Sequence, residues 1–447
     1  MKPFPGLFFA ACLALLGIRI VRAGTVSKKG SICKVHPSTD GVSDDASAIR
    51  RAFDLCGTDG SILFDQATFH VESVLQTTGL SNVYVDLPGT LLWGTNLTYW
   101  RANGLPLGYI NMTTAWMFGG DNVTFQGHGV GTFDGNGQLW YDLTQGVSNL
   151  PGRPISLMII NTTNSHFTGL RFVQSQFWTM AIKDSEDVLL DSIYINSTSS
   201  SSAPARNTDG VDTFFSNRIT FRNWTVAGGD DNISLKANST NILVQDSVFH
   251  GGLGVAIGSI GQYPGQYERI ENVTAERVQC LKTRYAGYIK TWTKTSLQTA
   301  SIPLAFNTTW LTDDRRRRRP RLRQKHQYVI APSGRSSSHL TPSGMPAAAF
   351  RDFTLTNVTD SVARITQCTS FSGATGGCDT SLFQISNITW GPMVGNIASG
   401  TLAIMQCSGA VPCPGIEFVN FDDIATAGAR KISCSHVENP VGFNCTA

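Results

Sequence analysis

The sequence predicts an all-β chain wound into a single right-handed parallel β-helix with a short N-terminal capping helix, on three observations. Four apolar runs recur at coil-length spacing: Val188-Leu189-Leu190 with Ile193 and Ile195, Ile219-Thr220-Phe221 with Trp224 and Val226, Ile242-Leu243-Val244 with Phe249, and Val273-Thr274-Ala275 with Val278 and Cys280. They begin 31, 23 and 31 residues apart. Apolar residues at offsets 0, 2, 5 and 7, broken by a polar residue, describe a strand, a sharp corner and a second strand. One such unit cannot bury its apolar face alone, so coils of this length stack into a solenoid with one continuous core. Finally, 44 glycines and few helical patterns favour one solenoid over the two or three domains that 447 residues could hold.

The chain opens with Lys2, an apolar run through Leu7 and Leu16, and small residues at Val21 and Ala23. This reads as a secretory signal over residues 1–23, too short for a membrane span. A secreted, extracellular chain with no membrane association is expected. Sequons at Asn96, Asn111, Asn122, Asn161, Asn196, Asn223, Asn238, Asn272, Asn357, Asn387 and Asn444 are glycosylation candidates in that compartment.

The one clear helical pattern is Asp44–Cys56. Ala48, Ile49, Ala52, Phe53 and Cys56 share one face behind Asp44 as N-cap, and the helix should cover the open end of the core. Short strands follow through residues 60–135, including Ile62-Leu63-Phe64, Val83-Tyr84-Val85 and Val123-Thr124-Phe125. A loop rich in glycine and proline then runs to Arg153-Pro154.

Ten cysteines include Cys12 in the leader, which leaves an odd nine. Spacing suggests Cys33–Cys56, Cys368–Cys378, Cys407–Cys413 and Cys434–Cys445, leaving Cys280, although spacing alone does not fix connectivity. No Cys/His cluster has zinc-like spacing, and neither a metal nor a cofactor is expected.

Asn207-Thr208-Asp209-Gly210 is followed, 21 residues after its Asp, by Gly229-Asp230-Asp231. That interval is close to one coil. Adjacent coils lie about 4.8 Å apart, so Asp209 should face the Asp230-Asp231 pair. Both members of that pair can reach one cleft only if the backbone bends at Gly228-Gly229. Crowded carboxyls split in pKa, one staying protonated as an acid while others remain ionised.

Those two motifs, with Gly252-Leu253-Gly254 running into Ile257-Gly258-Ser259 and then Tyr288-Ile289-Lys290, resemble in order and spacing the four signatures of the polygalacturonase family of glycoside hydrolases. The resemblance spans roughly residues 30–293 and resumes near Phe350. It implies inverting hydrolysis, with catalytic Asp230 as general acid and Asp209 and Asp231 holding the attacking water, the carboxyls about 6.5–9.5 Å apart. Lys290, Tyr288 and Asn207 are the candidate substrate contacts, Lys290 as the partner of a galacturonate carboxylate. Trp140, Tyr141 and Trp178 are either platforms for sugar rings or packed core residues.

Three departures qualify the resemblance. Leu253 stands where the family commonly has His, Tyr288 where it has Arg, and Asn232 where it has Cys. The Leu form followed by Gly258-Ser259-Ile260-Gly261-Gln262-Tyr263 most resembles fungal exo-acting galacturonidases and their rhamnosidase-like relatives. Release of terminal 1,4-linked galacturonate from pectin by a monomer is therefore the first expectation, with cleavage at rhamnose the near rival. A calcium-dependent lyase and a non-catalytic carbohydrate-binding β-helix are the alternatives of other classes. Asn232-Ile233-Ser234 is formally a sequon, expected unmodified because a glycan would fill the cleft.

Residues 294–346 break the pattern with Arg315–Arg319, Arg321, Arg323 and Lys325, and read as a disordered charge block or a retained intron or frame-shifted stretch. Of 35 basic residues, three lie in the leader and eight between 315 and 325, so 24 face 32 acidic residues elsewhere. The formal charge of +3 is thus no sign of a nucleic-acid partner. Pectic polysaccharide is the expected partner. Strand units return at Phe350-Arg351-Asp352-Phe353, Phe383-Gln384-Ile385 with Ile388 and Trp390, and Ile416-Glu417-Phe418, and the last cysteines staple these final coils.

Overall fold

In the computed structural model the described residues are 23–263, 266–293, 348–369 and 377–446. The expected leader, except Ala23, and the 294–346 segment lie outside them. The chain divides into two compact units, Met1–Thr179 with Ser192–Arg206, and Met180–Asp191 with Asn207–Ala447. Each is built of stacked parallel strands, and the fold class is the right-handed parallel β-helix.

In the first unit the pairings align Cys33, Ile62, Val85, Phe125 and Phe167 in one inward column. A second column runs Phe69, Leu91, Phe133, Phe172 and Ile195. Phe133 and Phe172 stack at 4.5 Å between ring centres. Strand side chains alternate between faces, so in-register stacking piles like residues on like and closes the core.

Helix α1 spans Ala46–Cys56 and buries Ala46, Ala48, Ile49, Ala52, Phe53 and Cys56. Its Phe53 meets Trp116 and Phe118 edge-on at 5.9 Å. The N-cap is Asp45 rather than Asp44. Both carboxylates are drawn into the neighbouring turn: Asp45 accepts from Ser38 N and His70 N, and Asp44 accepts from Ala46 N and Glu72 N. Two short helices escaped the sequence reading, Leu97–Asn103 and Gln138–Thr144. Trp140, Tyr141 and Trp178 are buried, and Tyr141 Oη donates to Ser175 O at 2.9 Å. They are core aromatics rather than sugar platforms.

In the second unit the four runs found by spacing stack in register: Val188, Ile219, Ile242 and Val273 form one column. The column continues without a gap through Ala348, Ile388 and Ile416. The coil after Val273 is therefore the one that begins at Ala348, and Tyr285–Trp292 pairs directly with Ser361–Thr369. Residues 294–346 interrupt the sequence without interrupting the order of the rungs around them. Phe383 and Ile385 point into the core, but only Ile388–Trp390 of that run is a strand.

The four cysteine pairs suggested by spacing are disulfides in the structure, and Cys280 is a buried free thiol whose pKa burial pushes up to about 12. Many sequon asparagines also serve the fold. Asn122, Asn161, Asn223, Asn238, Asn272, Asn357 and Asn387 all sit at coil corners with φ between 48° and 58°, a region Asn tolerates well. Asn196, Asn238 and Asn387 are half-buried and the other candidates exposed, whereas Asn232 is buried.

Candidate active site

The site lies wholly within the second unit, on four successive coils. Asp212 pairs with Ser234 and Thr213 with Leu235 in parallel register. Asp209 and Asp231, each three residues before one of the first pair, therefore occupy equivalent places one coil apart. Gly210 N donates to Asp231 O at 2.9 Å and fastens the two loops. Gly229 N donates to Thr208 Oγ1 at 2.9 Å, and Leu253 N to Asp230 O at 3.0 Å.

The bend that brings Asp230 and Asp231 to one side does not use a left-handed glycine; neither Gly228 nor Gly229 has positive φ. Asp230 Oδ1 accepts from the N–H of the next residue, Asp231, at 3.0 Å, which ties that side chain to its own backbone. One oxygen from each of Asp209, Asp230 and Asp231 then falls within 4.8 Å of the other two. These oxygens are closer than the carboxyl separation the sequence suggested, because Asp209 and Asp231 sit a single rung apart.

Burial decides the protonation states. Asp209 is 3% exposed, and burial, reinforced by the charges of Asp230, Asp212 and Asp231, holds its pKa well above the usual carboxylate range. Burial also raises that of Asp230, aided by Asp231 and opposed by Lys290. Asn207, at φ 56° on the corner, donates from Nδ2 to Asp230 Oδ2 at 3.2 Å. Lys290 Nζ lies 2.7 Å from Asp231 Oδ2. Burial alone would lower the pKa of Lys290, but Asp231 and Asp230 outweigh it and raise it. Tyr288 packs its ring 5.2 Å from that ammonium and 4.6 Å from the Tyr285 ring.

Sequence reading missed the layer that supports these groups. Asp212 is fully buried, with a pKa that burial raises to about 7 against the pull of Lys236, whose Nζ is 3.2 Å away. Ser234 Oγ lies 3.1 Å from both Asp231 Oδ2 and Gly258 O. Lys236 Nζ donates to the same Gly258 O at 3.2 Å. Gly258 has φ +100°, and a Cβ there would stand 2.1 Å from Lys290 O, so only glycine aims that carbonyl at Ser234 and Lys236. A signal was present: Asp212 interrupts the buried strand Val211–Phe214, and Lys236 follows 24 residues later, about one coil on.

Asn232 bridges to the next coil without a covalent bond, its Oδ1 accepting from Gly254 N at 2.8 Å. The three clustered carboxylates would also suit a hard cation. However, two ammonium groups already stand by Asp231, Lys290 at 2.7 Å and Lys236 at 4.0 Å, and supply the positive charge. The cluster can hold a water between Asp209 and Asp231 beside Asp230, an acid whose raised pKa favours its proton, the set that glycoside hydrolysis needs.

Comparison with known proteins agrees with that chemistry. The family model for glycosyl hydrolases family 28 matches residues 76–309. An alpha-L-rhamnosidase of Aspergillus niger is 40% identical over 419 residues, covering 93% of this chain and 90% of its own. A putative galacturan 1,4-alpha-galacturonidase A of Aspergillus flavus is 31% identical, covering 92% of this chain and 93% of its own. Among solved structures, an endo-xylogalacturonan hydrolase from Aspergillus tubingensis superposes with TM-score 0.73 at 21% identity, over 93% of this chain and 99% of its own. A polygalacturonase from Erwinia carotovora gives 0.62 at 15% identity, over 94% and 98%. These two speak for the fold, while the family match and the 40% identity over nearly the whole length establish descent: the chain belongs to family 28 of the glycosyl hydrolases, pectin-degrading enzymes.

Proposed function

We propose that this protein is an exo-acting glycosidase that removes terminal α-L-rhamnose from pectic rhamnogalacturonan. The observation that carries this reading is the commitment of Lys290 to Asp231 at 2.7 Å. The ammonium expected to clamp a uronate is occupied, and Leu253 and Tyr288 stand beside the acid where the family commonly has His and Arg. A cleft of that kind suits a neutral 6-deoxy sugar at the cleaved end. The 40% identical relative, named an alpha-L-rhamnosidase, supports the same sugar. Terminal 1,4-linked α-galacturonate, the first expectation from sequence, becomes the second reading, supported by the 31% identical relative.

In this mechanism Asp230, half-buried and with a raised pKa, gives its proton to the glycosidic oxygen as the bond to the anomeric carbon breaks. Asp209 and Asp231 hold a water on the opposite face; Asp231 takes its proton as the water oxygen bonds to the anomeric carbon, so the configuration inverts. Because the nearest oxygens lie within 4.8 Å, the Asp230 carboxyl turns out of the cluster to meet the substrate. Lys290 Nζ, 2.7 Å from Asp231 Oδ2, fixes that carboxyl in place for its role. The leader expected at residues 1–23 supports action outside the cell, and the chain is taken to act as a monomer.

The test is a time course of products from rhamnogalacturonan oligomers and oligogalacturonate, beside an Asp230→Asn control, with the first-formed anomer read by proton NMR. Free rhamnose from the outset, as the β anomer and absent in the control, is the expected result. Monomeric galacturonate would select the second reading, and mixed oligomers would overturn exo action. Unsaturated products would mark a lyase, and no product from folded protein would overturn the enzymatic reading.

A further inference from the structure

A second charged cluster sits one coil beyond Tyr288 and Lys290, three coils on from that of Asp231. Arg364 is the register partner of Tyr288 on the next strand. Its guanidinium lies 5.5 Å from the centre of the Tyr285 ring, and that of Arg284 lies 5.3 Å from the same ring. Both lean on one carboxylate: Asp360 Oδ2 is 3.2 Å from Arg284 Nε and 3.7 Å from Arg364 Nη1. One acid against two guanidiniums leaves a positive charge uncompensated there. Arg364 Nε is in addition buried with no hydrogen-bond partner among the described residues. A guanidinium presents its N–H groups as a planar fork matched to a carboxylate, and a buried donor left unmet is a standing cost that a ligand oxygen relieves.

The cluster is joined to the catalytic groups by an unbroken line of contacts. Tyr285 and Tyr288 lie 4.6 Å apart, Lys290 Nζ lies 5.2 Å from the Tyr288 ring, and Asp231 lies 2.7 Å from Lys290. The half-buried Tyr288 ring, with Arg284 and Arg364 55% and 21% exposed beside it and the buried Tyr285 behind, forms a surface that suits a sugar ring bearing an acid.

We propose that Arg364, flanked by Arg284 and by Tyr288, binds the carboxylate of a galacturonate unit in the part of the chain that remains after cleavage. The inference rests on the chain-end reading above, in which every retained sugar lies on the leaving-group side. It assigns a division of labour: a neutral sugar at the cleaved end and a uronate recognised three coils from Asp231.

The experiment compares wild type, Arg364→Gln and Arg284→Gln on rhamnogalacturonan oligomers and their carboxyl-reduced counterparts, with thermal midpoints confirming that each variant folds. Arg364→Gln is expected to raise KM on the charged oligomer about tenfold or more with kcat within about twofold, as loss of a charge-assisted fork predicts. The wild-type preference for charged over reduced oligomer should collapse in that variant, with Arg284→Gln showing a smaller version. Equal effects on both substrates, or an intact preference, would overturn the proposal. Calorimetric binding of trigalacturonate to Asp230→Asn protein, with and without Arg364→Gln, separates this inference from the sugar assignment. Binding weakened by Arg364→Gln supports the subsite even if galacturonate proves to be the sugar released, and unchanged binding overturns it whichever sugar is released.

Discussion

Lys290 Nζ and Asp231 Oδ2 are 2.7 Å apart, with the two side chains 14% and 1% exposed. A pair so enclosed stabilises little by itself, but removing one partner leaves the other charge buried and uncompensated.

Lys290→Met should therefore cost about 3–5 kcal/mol in stability, the usual penalty for breaking a buried pair. It should also change the pH profile. Lys290 holds down the Asp230 pKa, so its loss lets that pKa rise and keeps the acid protonated to higher pH. The alkaline limb of kcat should move upward in pH. An unmoved limb in folded variant would mean that Asp230 is not the acid or does not sense Lys290.

Asp209→Asn should separate stability from activity. Asp209 is buried among Asp230, Asp212 and Asp231, so neutralising it relieves burial and repulsion together. We expect turnover to fall about 10²–10⁴-fold, the range typical of lost acid–base assistance. At pH 8 the thermal midpoint should rise by roughly 1 °C, which corresponds to about 1 kcal/mol in a chain of this size. A midpoint lowered at pH 8 would show that the carboxylate is held by bonds stronger than its repulsions.

The pH dependence of stability follows from the same cluster. Asp209, Asp212 and Asp230 all have pKa values above that of the unfolded chain, with Asp212 at about 7. The folded state then keeps protons that the unfolded state releases. Their stabilising contribution is complete below the unfolded value of about 4 and is lost as pH rises through the folded values. Urea midpoints should thus fall between pH 5 and pH 8 on this account, and the fall should be shallower in Asp212→Asn. Equal slopes in the two proteins would argue against an unusual Asp212.

Gly258→Ala tests the supporting layer. The added Cβ would meet Lys290 O at 2.1 Å in a backbone at φ +100°, a clash with main chain that no side-chain rotation relieves. A loss of about 2–4 kcal/mol is expected, together with a lower kcat, since Ser234 and Lys236 both bond to that carbonyl. Gly377→Ala, at φ −73° with nothing within 4 Å of the added carbon, is the control and should stay within about 0.5 kcal/mol.

The repeat was legible because a stacked coil must place an apolar residue at the same point of every turn. Val188, Ile219, Ile242 and Val273 could therefore be aligned by counting, and they pair in that register. Counting also suggested that Asp209 would meet Asp230 and Asp231, since residues one coil apart in sequence become rungs in space. The short helices Leu97–Asn103 and Gln138–Thr144 were not legible, because they are loops shaped by what they pack against rather than by a long periodic face. Trp140, Tyr141 and Trp178 were ambiguous for a related reason: an aromatic ring satisfies a core and a sugar equally well until its burial is known.

Sequence by itself thus determined the solenoid, the order of its coils and the identity of three acids, all consequences of a fixed period along the chain. Tertiary structure decided which charges touch. It set Lys290 against Asp231, slid Asp212 and Lys236 beneath them, and left Arg364 and Arg284 sharing Asp360. Those outcomes depend on side-chain direction and on burial over distances of a few ångströms, and residue spacing carries no information about either.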